Sequence, residues 1–186
     1  MRFGLQHFYN NKRKYFAAFS AMLTGVVLGL VFAGATASEY TADSVQGFMR
    51  QFTPNAEVLG GIFVRALVNN LRFLVLIALA GMVMRLRLLA PFALVLKGFS
   101  AGYTLGFATI VFGGRGFLLA FVSILPQILT LYPLLFCAMV CAINARGVGR
   151  LRWALRCGTF ALGLVVCSLI DGLVVPVFVG GVGRLF

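Results

Sequence analysis

The chain has 186 residues, 61% of them hydrophobic and 11% charged. Soluble domains carry about 25% charged residues, so this composition, with a mean hydropathy of +1.02, excludes an ordinary soluble domain and points to an integral membrane protein. The formal net charge of +12 would point to nucleic acid in a soluble protein. In a membrane chain it reads instead as flanking charge that orients the spans, with lipid and not nucleic acid as the surroundings.

Five apolar segments follow in chain order: Phe16–Ala37, Ala66–Met84, Pro91–Phe112, Phe117–Ile143 and Trp153–Val179. About 20 helical residues cross the hydrocarbon core, so each segment is long enough. The pattern predicts an all-α polytopic protein, a bundle of about five transmembrane helices forming a single integral membrane domain over 1–186. The first segment follows Lys12, Arg13 and Lys14 and ends near Ala35-Thr36-Ala37, which resembles a signal cleavage site. Its apolar run exceeds the usual signal length of about 7–15 residues, so an uncleaved anchor is expected. The fourth and fifth segments are longer than a bilayer requires. Tilt or a break is expected there, at Pro126, Pro133 or Pro176.

Charge between the spans sets the orientation. Arg2, Lys12, Arg13, Lys14, Arg85, Arg87, Arg146, Arg150, Arg152 and Arg156 fall on one side, against Arg50, Arg65, Arg115 and Arg184 on the other. The positive-inside bias places residues 1–15 in the cytoplasm and the C-terminus outside. The one sizeable hydrophilic segment, 38–65, is then external. Within it Val45, Phe48, Met49 and Phe52 recur at i, i+3, i+4 and i+7, one apolar helix face. The helix either lies in the outer interface or docks an external partner.

Small residues mark the helix contacts, because lipid supplies no hydrophobic drive between spans and close packing takes over. Gly98, Gly102 and Gly106 form a ridge in the third span, and Gly25, Gly29 and Ala33 form another in the first. Tight packing of these two spans within the chain is the preferred reading over packing against another protein. Ser123, Gln127, Thr130, Cys137, Cys141 and Asn144 trace a polar stripe along the fourth span, and Thr159, Gly163, Cys167 and Asp171 a seam along the fifth. Both should face the bundle interior.

Charges inside the spans need a partner or an exit. They are Arg72, Lys97 and Asp171. Counting helical rise from the segment ends puts Arg72 about 9 Å and Asp171 about 12 Å below the outer boundary. An Arg72–Asp171 pair is therefore expected, with hydrogen bonds from Gln127, Asn69 or Asn70. Lys97 sits about 9 Å from the inner boundary on the same count and is expected to snorkel to the cytoplasmic headgroups. The cluster reads as a clasp fixing helix register, with a proton or ion site as the rival.

Catalysis finds no support in the residue types. The single histidine is His7, and no acid pair, nucleophile with a base, or metal-ligand set stands out. Cys137 and Cys141, four apart, are read as packing residues and not as thiolates for a soft metal. No metal and no cofactor is expected. Gly113-Gly114-Arg115-Gly116 is a tight turn and not a phosphate loop, because no Lys-Ser/Thr follows it.

Several ordered blocks resemble a known family. Asn70-Leu71-Arg72-Phe73-Leu74, then Leu96-Lys97-Gly98-Phe99-Ser100-Ala101-Gly102-Tyr103-Thr104-Leu105-Gly106, then Gly114-Arg115-Gly116-Phe117 and Leu125-Pro126-Gln127, resemble stage II sporulation protein M in content and spacing. Asp171 and Pro176 match an acid and a proline late in that family's last span. The resemblance runs from about 69 to 176, and the anchor and external segment fit by layout. The family often has Lys at the place of Arg72 and Glu at that of Asp171, changes that keep the charge. The resemblance implies a polytopic membrane scaffold of the engulfment machinery at the sporulation septum. Its implied partners are two cell-wall hydrolases, the sporulation protein D lytic transglycosylase and the sporulation protein P amidase/endopeptidase. The expected function is thus a non-enzymatic anchor that recruits peptidoglycan hydrolases. The alternative is a small permease or transport-complex subunit whose polar residues line a water-accessible cavity. Self-association into a homo-oligomer is left open by the sequence.

Overall fold

The computed structural model describes residues 11–37, 56–82, 88–145 and 149–183, without the side chains of 56–60, 62, 119, 150 and 171–183. Apart from a few residues at helix ends, the described residues are helical, with five helices long and apolar enough to cross a membrane. The chain forms α1 (Lys12–Thr36), α2 (Ala56–Met82), α3 (Leu89–Ile143) and α4 (Arg150–Gly183). Val45, Phe48, Met49 and Phe52 lie outside the described residues.

At 55 residues, α3 would extend about 80 Å if straight, far more than a bilayer. It reverses at Gly113, the one residue in it with non-helical backbone (φ 63°, ψ −147°), a conformation open in practice only to glycine. Beyond the turn Gly116 lies against Ala108, where a β-carbon would overlap the Ala108 carbonyl oxygen. Eight residues of straight helix would separate those positions by about 12 Å. The element is therefore a helical hairpin with arms 89–112 and 114–143. Pro126 and Pro133 interrupt neither the backbone dihedrals nor the second arm. Of the tilt or break expected at these prolines, no break appears in the backbone dihedrals, and the reversal at Gly113 falls in the tight turn expected at 113–116 between the third and fourth segments.

The two glycine ridges meet. The buried residues of α1 are Ala18, Gly25, Gly29 and Ala33, so α1 docks through backbone and not through large side chains. A β-carbon at Gly25 would run into the Val95 carbonyl, and one at Gly29 into that of Phe99. In return, one at Gly98 would meet the Met22 carbonyl, and one at Gly102 that of Val26. Gly106 lies beside Ala33, its would-be β-carbon 2.9 Å from the alanine methyl. This reciprocity brings α1 and the first arm of α3 together along most of their length. The opposite side of α1 carries Phe16, Leu23, Val27 and Val31, all exposed, as a lipid-facing surface requires.

The remaining helices pack by larger side chains. Along α2 the buried stripe is Asn70, Leu74, Ile77 and Ala80, spaced at close to the helical period. It meets Leu94 of the first α3 arm, Leu131, Leu135 and Met139 of the second, and Trp153 and Leu164 of α4 in one core. Trp153 is the wedge at one end: its indole N–H donates to the Ala78 carbonyl oxygen at 3.2 Å, and its ring lies where a side chain at Gly81 would stand.

A second tie joins the start of α1 to the end of α3. Lys14 Nζ donates to Asn144 Oδ1, and Asn144 Nδ2 donates to Asn11 Oδ1 at 2.9 Å. Two turns earlier on α3 the Tyr15 hydroxyl and Cys137 Sγ are 3.6 Å apart. The polar stripe on the second α3 arm thus faces α1 at its Cys137–Asn144 end.

Glycine at the α1–α3 contact faces backbone carbonyls, which cannot rotate away. Gly102→Leu should lower stability by at least ~1–3 kcal/mol, the usual cost of overpacking. Gly34, with nothing within 4 Å of its would-be β-carbon, should accept alanine with unchanged or slightly raised stability. Thermal melts of the two purified variants in detergent check the contrast.

Candidate functional site

Where α2, α3 and α4 meet, the structure buries a lysine. Lys97 is 5% exposed, on the first arm of α3. Its ammonium donates to Asn70 Oδ1 on α2 at 2.9 Å and lies 5.5 Å from the centre of the Phe73 ring, within cation–π range. Asn70, 2% exposed, passes the chain on: its Nδ2 donates to Ser168 Oγ on α4 at 3.4 Å. Ser168 is fully buried. Three helices are therefore linked by one line of polar contacts through otherwise apolar packing.

Lys97 does not snorkel to headgroups as its place in the apolar segment suggested. The heights of the two residues along their helices account for it. Asn70 is about 18 Å from the Met82 end of α2. Lys97 is about 12 Å along α3 from Leu89, and its long stem covers the difference in depth.

The other residues of the expected cluster do not gather here. Asn69 and Arg72 are exposed. Arg72 follows Asn70 by two positions, about 200° around the helix, and so lies on the far side of α2 from the Lys97 bond. Gln127 is half-buried on the second α3 arm, and the hydrogen bonds of Asn70 bypass it. The side chain of Asp171 is outside the described residues, so the expected Arg72–Asp171 pair is too. Position 171 itself follows Ser168 by three residues in α4.

Sequence reading singled out Asn70 and missed Lys97 as its partner and Ser168 as the third member. A signal existed: Ser168 adjoins Cys167 in the polar seam of the last span, and Lys97 adjoins Gly98 of the glycine ridge, hence the packed side of α3. Among the described residues no group of three or more His, Cys, Asp or Glu is placed to hold a metal. Cys137, Cys141 and Cys157 are half-buried and Cys167 is buried, all as free thiols. The arrangement offers a fixed cation and hydrogen-bonding groups held in packing.

Removing the amide acceptor should be costly because the lysine stays behind. Asn70→Leu is expected to lower stability by about 2–3 kcal/mol, the scale of a lost hydrogen bond to a buried charged group. Adding Lys97→Met to it should recover part of that loss, because both polar ends are then gone. Melting temperatures of the parent, both single variants and the double variant measure the coupling.

No curated protein and no solved structure matches the chain. The family model described as stage II sporulation protein M matches residues 8–181, which include α1, α2, α3, all but the last two residues of α4, and the whole Lys97–Asn70–Ser168 line. On that match the chain is a multi-pass membrane protein belonging to the stage II sporulation protein M family.

Proposed function

We propose that the protein is a non-enzymatic membrane scaffold that recruits and positions peptidoglycan hydrolases during septal thinning and engulfment in sporulation. The observation that carries this reading is the family match over 8–181, joined to a bundle whose polar side chains serve helix contacts. Asn11, Lys14 and Asn144 lace α1 to α3, and Asn70, Lys97 and Ser168 lace α2, α3 and α4. A transport role needs its intramembrane polar groups to reach water. Burial of Asn70, Lys97 and Ser168 to 5% exposure or less favours the clasp.

In this proposal the N-terminus is cytoplasmic, as the Lys/Arg distribution favours, and residues 38–65 face the wall. Val45, Phe48, Met49 and Phe52 are the apolar stripe offered to the hydrolases, which resemble the sporulation protein D lytic transglycosylase and the sporulation protein P amidase/endopeptidase. The bundle fixes where that stripe stands, and the protein resides at the septal and engulfing membrane.

Crosslinked co-purification from native membranes tests this. The parent should bring down wall hydrolases, and Phe48→Asp with Phe52→Asp should reduce their recovery by roughly tenfold, as loss of two apolar anchors implies, with the protein still inserted. Undiminished recovery removes the 38–65 segment from the mechanism. Absence of any hydrolase with the parent overturns the scaffold reading. Reagent access to a tag beside Glu57 in intact cells, expected from outside only, checks the orientation.

A further inference from the structure

A short stripe at the end of α3 receives cations from two other helices. Cys137, Cys141 and Asn144 recur at helical spacing, and Asn144 caps the helix. From α1, Tyr15 reaches Cys137 and Lys14 reaches Asn144, which bonds in turn to Asn11. From α4, the Arg156 guanidinium comes within electrostatic reach of the Cys141 thiol. Cys141 and Asn144 are about 4.5 Å apart along the axis, so Lys14 and Arg156 flank the last turn of α3 although they belong to the first and last helices. Arg152, one turn before Arg156 on α4, shares its face, and both are exposed. Trp153, between them in sequence, packs where a side chain at Gly81 would stand, which puts the Met82 end of α2 at this same end of the bundle.

The acids of the chain stand far from these cations. Residues 1–38 and 58–170 contain no Asp or Glu. Position 57 is about 38 Å along α2 from Met82, and position 171 about 22 Å along α4 from Arg156. Glu39 and Asp43 come after Thr36, the opposite end of α1. Like charges four apart on one helix repel, and the amide that holds Lys14 is neutral. The countercharge for this end therefore comes from outside the chain. Exposed apolar residues adjoin the cations, Leu151 and Leu155 on α4 and Phe16 on α1, so the charges stand where headgroups give way to acyl chains. The anion at that boundary is a lipid phosphate, which guanidinium and ammonium groups both bind well.

From this juxtaposition we infer that Lys14, Arg152 and Arg156 form a binding site for the headgroup of an anionic phospholipid, seated over the last turn of α3 between α1 and α4. The bound phosphate ties the start of the first helix to the start of the last. The site works on whichever face of the membrane this end lies, and it is independent of hydrolase recruitment.

The test uses the full chain purified in an uncharged detergent, with phosphatidylglycerol or phosphatidylcholine added. Melting temperature and lipid retained in native mass spectrometry are the readouts. Phosphatidylglycerol should raise the melting temperature and stay bound, and phosphatidylcholine should do neither. Arg152→Gln and Arg156→Gln should each weaken phosphatidylglycerol binding by roughly fivefold, the usual worth of one basic residue at a lipid surface. Lys14→Gln, which keeps an N–H donor for Asn144, should do the same. Arg65 is exposed on α2, about 25 Å from Met82, and Arg65→Gln should leave binding unchanged. Should Lys14→Gln fail to fold, the two exposed arginines still decide the outcome. Equal stabilisation by the two lipids overturns the inference. A loss with Arg65→Gln as large as with Arg156→Gln marks diffuse attraction and overturns it too. Glycerol phosphate giving the same shift at the same concentration marks a free-anion site and overturns the lipid assignment.

Discussion

Lipid is as apolar as the leucine side chains that face it, so nothing like the aqueous hydrophobic effect drives one span against the next. Close approach of backbones is what remains, and in this protein it is built where α1 meets the first arm of α3. Gly25 and Gly29 let α3 carbonyls into α1, and Gly98 and Gly102 let α1 carbonyls into α3. Each helix supplies both the gap and the group that fills it. With that contact made, the outward sides of both helices are free to be large and apolar, and Phe32, Phe99 and Tyr103 form an aromatic cluster along the seam, with ring centres 5.6–6.3 Å apart.

Polar contacts then specify what apolar packing leaves loose. Leucine, isoleucine and alanine fill the space among α2, α3 and α4 without dictating rotation or depth. A single line from Lys97 through Asn70 to Ser168 does dictate them, because sliding any one helix by a turn would strand a polar group away from water. Trp153 does the same at one end of the interface, with one hydrogen bond and one glycine-sized slot. The chain thus uses few polar residues in its spans, and those the structure bonds across helices tie segments far apart in sequence.

Much of this architecture was legible before any coordinates. Apolar length gave the helices, and the fourfold glycine spacing gave the faces of α1 and α3, because both depend on local pattern alone. Depth was harder. Counting from segment ends groups Asn70 with the outer-half charges and Lys97 with the inner headgroups, and it takes no account of a lysine stem long enough to reach across to Asn70. The turn at Gly113 was legible in the glycine run 113–116, whereas the prolines at 126 and 133 leave the backbone dihedrals of the second arm helical. Proline is tolerated in a membrane helix where neighbouring groups satisfy the freed backbone. The Gly81–Trp153 contact joins residues 72 apart, and neither alone departs from what a membrane helix ordinarily contains.

The bond between Asn144 and Asn11 spans 133 residues, and that separation has a consequence for biosynthesis. At ordinary elongation rates the ribosome takes on the order of ten seconds to make the intervening chain. During that interval the first helix has already entered the bilayer, while the asparagine that will latch it has yet to be translated. Its glycine groove gains a mate within the same polypeptide only when the 89–112 arm arrives. Until then the groove is open to whatever membrane neighbours or insertion factors are at hand.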